Sequence, residues 1–204
     1  LNLVLERARE AGEADSRWGM RLSYTLSRLE NDSDDLNFRA SNSNEFAAEW
    51  GPSINDRRHA LSTVLFLYPT PSLTVTLAGL FQSGQPVNLI PDAAIFGTTD
   101  LNGDGASFSS AYLGNSDRAP GVTRNSERLP WSKVVDLGLR WELPLRGGRF
   151  ELSADIFNLF DAVNLSGFAN SATQSNQIQI AGQPFVERNA GAPRQFQFGL
   201  RYAF

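Results

Sequence analysis

The sequence predicts an all-β chain in which residues 1–204 form about seven antiparallel strands, the C-terminal part of a larger transmembrane β-barrel and open as a segment. Three observations carry this expectation. The closing stretch Arg194–Phe204, RQFQFGLRYAF, puts Phe196, Phe198, Leu200, Tyr202 and Phe204 on one face and Gln195, Gln197, Gly199, Arg201 and Ala203 on the other. The same period of two recurs along the chain. The connections between the periodic stretches alternate short and long without exception, which is the arrangement of bacterial outer-membrane barrels, short turns on the periplasmic side.

The elements follow in order. Leu1, Leu3 and Leu5 alternate with Asn2, Val4 and Glu6, and after a small polar reversal around Gly12 the pattern returns with Trp18, Met20, Leu22, Tyr24 and Leu26. Residues 29–58 lose all period and read as a long polar loop. His59–Tyr68 is apolar on both parities, and the preferred register turns Leu61, Thr63, Leu65 and Leu67 outward. Pro69 and Pro71 are expected to end that strand sharply, before Leu73, Val75, Leu77, Gly79 and Phe81 alternate with Thr74, Thr76, Ala78, Leu80 and Gln82. Residues 83–132 form a second and longer aperiodic region. Val135, Leu137, Leu139, Trp141 and Leu143 then define a strand, Pro144–Gly148 a turn, and Phe150, Leu152, Ala154 and Ile156 its partner, with a third long loop, about 162–193, leading to the closing strand.

Composition narrows the function classes. A net charge of −4 with scattered basic residues offers no field for nucleic acid, so no nucleic-acid partner is expected. The absence of cysteine removes disulfides, thiolate metal sites and cysteine catalysis. The longest uncharged, mostly apolar run, Ala60–Tyr68, is far short of the roughly 18 residues a membrane helix needs, whereas a strand crosses with about ten. Because the first residue is Leu1, the chain reads as an excised or truncated piece, and any targeting segment is expected upstream of it.

Charges sit mid-strand on one face only, at Arg21, Asp136, Arg140, Glu142, Glu151, Asp155 and Arg201. A wet lumen accepts such a wall, with ion pairs laddering between neighbouring strands. Trp18, Trp141 and Tyr202, with Phe204, gather near the short-turn end as an interfacial aromatic belt would. A secreted β-sandwich adhesin or carbohydrate-binding module is the alternative, and it requires a second sheet over the apolar face.

Among candidate sites, Asp100, Asn102 and Asp104 in DLNGDG follow the first half of a calcium loop, but Ala111 stands where its bidentate acid belongs, so calcium would need Asp117 or another carboxylate. A solvated Asn-Gly/Asp-Gly turn explains the same residues. Asp56, Arg57 and Arg58 read as an exposed ion-pair cluster at the rim, and His59, the only histidine, as a polar rim residue. Without phosphate loop, zinc motif or nucleophile elbow, no enzymatic activity is expected.

Ordered stretches across nearly the whole chain resemble the C-terminal barrel region of TonB-dependent outer-membrane receptors, in particular the Oar-like group with a carboxypeptidase-regulatory-like domain. They are LSYTLSRLEND (22–32), EWGPSINDRRHALS (49–62), SGQPV (83–87), DLNGDG (100–105), DRAPGVTRNS (117–126), ADIFNLFD (154–161) and APRQFQFGLRYAF (192–204). The resemblance implies a barrel of about 22 strands in the bacterial outer membrane. It implies ligand uptake energised through TonB, by way of an N-terminal plug region not contained in this chain. It also implies that Phe204, with Tyr202 and Leu200, forms the C-terminal signal recognised by the barrel-assembly machinery.

Overall fold

A computed structural model describes residues 1–8, 17–34, 40–103, 105, 117–145, 148–169, 178–180 and 188–204. In chain order the strands are β1 (Asn2–Arg7), β2 (Trp18–Leu26), β3 (Glu30–Asn31), β4 (Gly51–Pro52), β5 (His59–Thr70), β6 (Leu73–Gln82) and β7 (Pro86–Ile90). They continue with β8 (Glu127–Arg128), β9 (Ser132–Leu145), β10 (Gly148–Phe157), β11 (Leu165–Ala169), β12 (Ile178–Ile180), β13 (Arg188–Ala190) and β14 (Gln195–Ala203). The chain is thus all-β, and among the described residues the helical elements are one short α-turn at Ala93–Phe96 and one 3-10 turn at Phe46–Glu49. No described helix is long and apolar enough to cross a membrane.

The seven long strands form a single sheet in the order β1-β2-β5-β6-β9-β10-β14, every neighbour antiparallel. The sheet is not closed; β1 and β14 are its edges. Register settles which residues share a face, because side chains alternate with period two. Leu3 opposes Tyr24, Tyr24 opposes Leu61, Leu61 opposes Phe81, Leu77 opposes Leu137, Leu137 opposes Ile156, and Ile156 opposes Phe196. One apolar face therefore runs across all seven strands, and Leu61, Thr63, Leu65 and Leu67 belong to it as the sequence suggested. Leu3, Leu67, Leu77, Phe196 and Phe198 on it are exposed, Phe198 by 79%, and Tyr24, Leu61, Leu65, Phe81, Leu137 and Ile156 are half-buried.

The opposite face carries Arg21, Asp136, Arg140, Glu142, Glu151, Asp155 and Arg201. Two diagonal pairs ladder across it, Arg140 to Asp155 at 2.9 Å and Arg149 to Glu142 at 3.2 Å. Val64, Phe66 and Leu80 also lie on this face, which is why β5 had no legible period.

Three details differ from expectation. Strand β5 runs through Pro69 to Thr70; the register slips between Leu67 and Thr70, and at such an irregularity a proline's missing N–H does no harm. Strand β9 likewise continues through Pro144, opposite Arg149, to Leu145. The largest difference is that the long connections are structured. Beyond β2–β5 lies the β3–β4 pair; beyond β6–β9, β7 pairs antiparallel with β8 and in parallel with β12; beyond β10–β14 lies the β11–β13 pair. Among the described residues, the most buried apolar side chains, Val87, Ile90 and Leu129, belong to these connections and not to the long strands; only Val135 at the head of β9 joins them.

Candidate functional site

All three long connections leave the same end of the sheet, and the first two lock together through one arginine. Arg124 is 0% exposed. Its Nε donates to the Glu49 carbonyl at 2.8 Å, Nη1 pairs with the Asp34 carboxylate, and Nη2 donates to the backbone and side-chain oxygens of Asn31. A guanidinium suits this position because its planar fork can serve several acceptors at fixed angles. Burial holds its proton affinity below the usual arginine value, while Asp34 and Glu49 act in the opposite sense.

Neighbouring residues complete the knot. Asn125 sits in the left-handed region at φ 54°, a conformation asparagine tolerates, and this turns its Nδ2 onto Asp34 at 2.6 Å and the Pro52 carbonyl at 2.8 Å. Its backbone N–H donates to Asn88 Oδ1 at 2.6 Å, tying in β7. Glu49 is equally buried, pairs with Arg118 at 2.7 Å and accepts the Ser41 N–H at 2.7 Å. Buried charges persist only when paired and hydrogen-bonded in this way. Two glycines allow the approach: a Cβ on Gly51 would lie 2.7 Å from the Arg124 carbonyl oxygen, and one on Gly84 only 1.5 Å from that of Leu129.

The expected rim cluster is arranged differently. Asp56 is buried, not exposed, and its partner is Arg128 rather than Arg57 or Arg58. It also accepts the Leu29 N–H at 2.9 Å. The cause is that Arg128, on β8, reaches in to donate to the carbonyls of Asp56 and Gly84 at 3.2 and 3.1 Å, so the carboxylate faces inward. His59 Nδ1 lies 2.7 Å from the Tyr24 hydroxyl, and its ring is stacked between Tyr24 and Trp131 at 6.1 and 5.7 Å.

In the calcium-like segment, Asp100 accepts backbone N–H groups from Gly103 at 2.9 Å and Gly105 at 3.1 Å. Asp117 accepts from Leu101 at 2.9 Å. Asp104 lies outside the described residues, and no group of three His, Cys, Asp or Glu side chains placed to hold a metal ion occurs among the described ones. Gly103 and Gly105 have φ of 72° and 78°, the geometry of a tight turn.

At the other end of the sheet, Trp18, Trp141 and Tyr202 fall on the apolar face in the rows nearest the short turns. The Arg7 guanidinium lies 4.1 Å over the Trp18 ring, and Tyr202 packs between Phe150 at 4.9 Å and Phe204 at 6.0 Å. Leu200 and Tyr202 on edge strand β14, and Phe204 just after it, are all exposed. The strand's start is pinned: Asn158, φ 51°, bonds Ala162 and Ala192, and Asp161 accepts the Arg194 N–H at 2.9 Å.

Sequence reasoning missed Arg124, Asp34, Glu49 and Arg118, because nothing in a period-two scan distinguishes a buried loop charge from a solvated one. The signal that could have found them is the set of family-like stretches. Asn31, Glu49, Asp56 and Arg124 all come from those quoted above, and the knot is where these stretches meet. Comparison of the chain with models of known protein families, with curated proteins and with solved structures found no match to any of them.

Proposed function

We propose that this chain is a C-terminal barrel segment of an outer-membrane receptor of the TonB-dependent kind, with strands β1 to β14 of the main sheet facing lipid on one side and a wet lumen on the other. The observation that carries the reading is the exposed apolar face shared by all seven strands, opposed by a face of cross-strand ion pairs. In water such a face is a severe liability; against lipid it is the required surface.

Two aromatic rims support the same reading. Trp141 marks the short-turn end, and the Tyr24–His59–Trp131 stack marks the long-loop end. Trp131 and Trp141 are ten residues apart. At about 3.4 Å per residue and a tilt of about 40°, that spacing is roughly 25 Å along the barrel axis, the height of an outer-membrane apolar band. The edges β1 and β14 would pair with strands outside this chain, since an unpaired edge has no place in a bilayer. Leu200, Tyr202 and Phe204 would then serve as the signal read by the assembly machinery. The knotted loops form the outward surface where a ligand for uptake would first bind, and energy from TonB would arrive through the plug.

The sandwich alternative needs a layer over the apolar face, and among the described residues none covers it. Fluorescence quenching by lipids brominated at defined acyl depths separates the two readings. Trp131 and Trp141 should be quenched best by shallow labels in opposite leaflets. Absence of quenching for Trp141 in a folded, lipid-reconstituted chain would refute the membrane reading.

A further inference from the structure

We propose that the groove centred on Ala154, on the apolar face of the sheet, binds one acyl chain of a membrane lipid, entered from the short-turn end past Trp141. The inference deepens the membrane reading and rests on it. The groove has a volume of about 530 Å³, within the range of small-ligand sites.

Its shape follows from the register. Leu73, Trp141, Leu152 and Leu200 form one row across β6, β9, β10 and β14, and Leu139, Ala154 and Phe198 form the next row toward the long loops. Leu137, Ile156 and Phe196 form the row beyond. Within these rows Ala154 is the one small residue among large ones. Its methyl group, flanked by Leu139 and Phe198, leaves a notch, and Trp141, Leu152 and Leu200 continue it as exposed walls.

The lining fixes the chemistry of the occupant. Ser153 and Gly199 also border the groove, but they oppose each other on the polar face, so only backbone of the β10–β14 ladder reaches the apolar side. Apart from the Trp141 indole N–H at the mouth, the side chains on the apolar side carry no hydrogen-bonding group. A polypeptide or a sugar placed there would strand its own polar groups, whereas a hydrocarbon chain has none to strand. In lipid the gain comes from packing and not from escape from water: an unfilled notch forfeits dispersion contacts that a single chain lying in it restores. Trp141 stands at the short-turn rim, where an indole marks headgroup level, so a lipid held beside it sends its chain inward toward Ala154.

The test is fluorescence quenching in micelles of a rigid, steroid-based detergent to which phosphatidylcholine brominated on its acyl chains is added. Of the four tryptophans, versions of the chain keep Trp18 or Trp141 alone, the others replaced by Phe. Both lie on the apolar face at the short-turn end, and of the two Trp141 borders the groove. Trp141 is expected to reach half-quenching at a mole fraction of bromolipid about fivefold lower than Trp18, the scale of packing preferences in membranes. Ala154→Phe fills the notch and should bring Trp141 to the Trp18 value, whereas Leu77→Phe, on the same face outside the groove, should leave the difference in place. Each substitution adds apolar bulk to a lipid-facing position, so neither threatens the fold. Equal mole fractions for the two tryptophans, a preference that survives Ala154→Phe, or its loss in Leu77→Phe would overturn the inference. So would an unquenched Trp141 beside a quenched Trp18, which would assign the groove to a second copy of the chain. Failure of the membrane reading itself looks different: neither tryptophan is quenched even in bilayers made wholly of bromolipid.

Discussion

Replacing Arg124 by Met should open the loop knot while leaving the sheet intact. Methionine keeps most of the volume but removes the charge and every donor. The variant loses the bonds to Asp34, to both Asn31 oxygens and to the Glu49 carbonyl. Removing one partner of a buried ion pair costs about 3–5 kcal/mol, most of it from the stranded charge. Asp34 is not stranded entirely, since Asn125 Nδ2 at 2.6 Å, the Ile54 N–H at 3.1 Å and Asn31 Nδ2 at 3.2 Å remain. The low end, about 3 kcal/mol, therefore applies, equivalent to roughly a hundredfold shift in an opening equilibrium. Native-state hydrogen exchange in detergent reads it directly. The amides of Ser41, Ile54 and Asn125, which donate within the knot, should exchange about a hundredfold faster, and those of β5 and β6 should not change. Adding Asp34→Asn to the variant removes the uncompensated charge and should restore at least about 1 kcal/mol. Unchanged exchange at the three knot amides would refute the reasoning, and so would a double variant less stable than the single one.

Three further outcomes follow from the geometry. Gly84→Ala forces a Cβ to 1.5 Å from the Leu129 carbonyl oxygen, so β7 and β8 must separate, and the knot amides should lose protection even more completely than in the Arg124 variant. Leu77→Arg, at the centre of the apolar face, should destabilise the chain in lipid by about 2–4 kcal/mol in denaturant titration, whereas Thr76→Arg on the polar face should cost less than about 1 kcal/mol. Because both Asp100 oxygens already serve backbone N–H groups, Asp100→Ala should lower the local stability of its turn equally with calcium or with chelator present, as exchange at Gly103 and Gly105 would report.

The sheet was legible because its period is two and its neighbours in space are neighbours in sequence. Leu73–Gln82 and Arg194–Phe204 declare their faces residue by residue, and the strands they imply are present with the expected partners. Boundaries at Pro69 and Pro144 were drawn short, since a proline is compatible with a strand wherever its N–H is not required. The loop knot was not legible in the same way. Glu49 and Arg124 are separated by 75 positions, and their pairing leaves no periodic trace. Asp56 was misread for a related reason: its sequence neighbours Arg57 and Arg58 look like partners, while its true partner, Arg128, arrives from 72 positions away. Burial of charge is decided by such distant partners, and a single sequence does not display them.

The knot also sets an order on folding. Arg124 reaches back 93 positions to Asn31 and 90 to Asp34, contacts whose loop-closure entropy is steep for an unpaired chain. Once β2 has paired with β5, so that Leu26 faces His59, and β6 with β9, so that Gln82 faces Ser132, the roots of both connections are already together. Neighbouring strands can zip first through near contacts, and the arginine closes last at little further entropic cost. Damage to Arg124 should accordingly quicken unfolding of the loops and leave the rate of strand pairing untouched. The long-loop end of the molecule is thus a late-closing latch on a sheet that assembles without it.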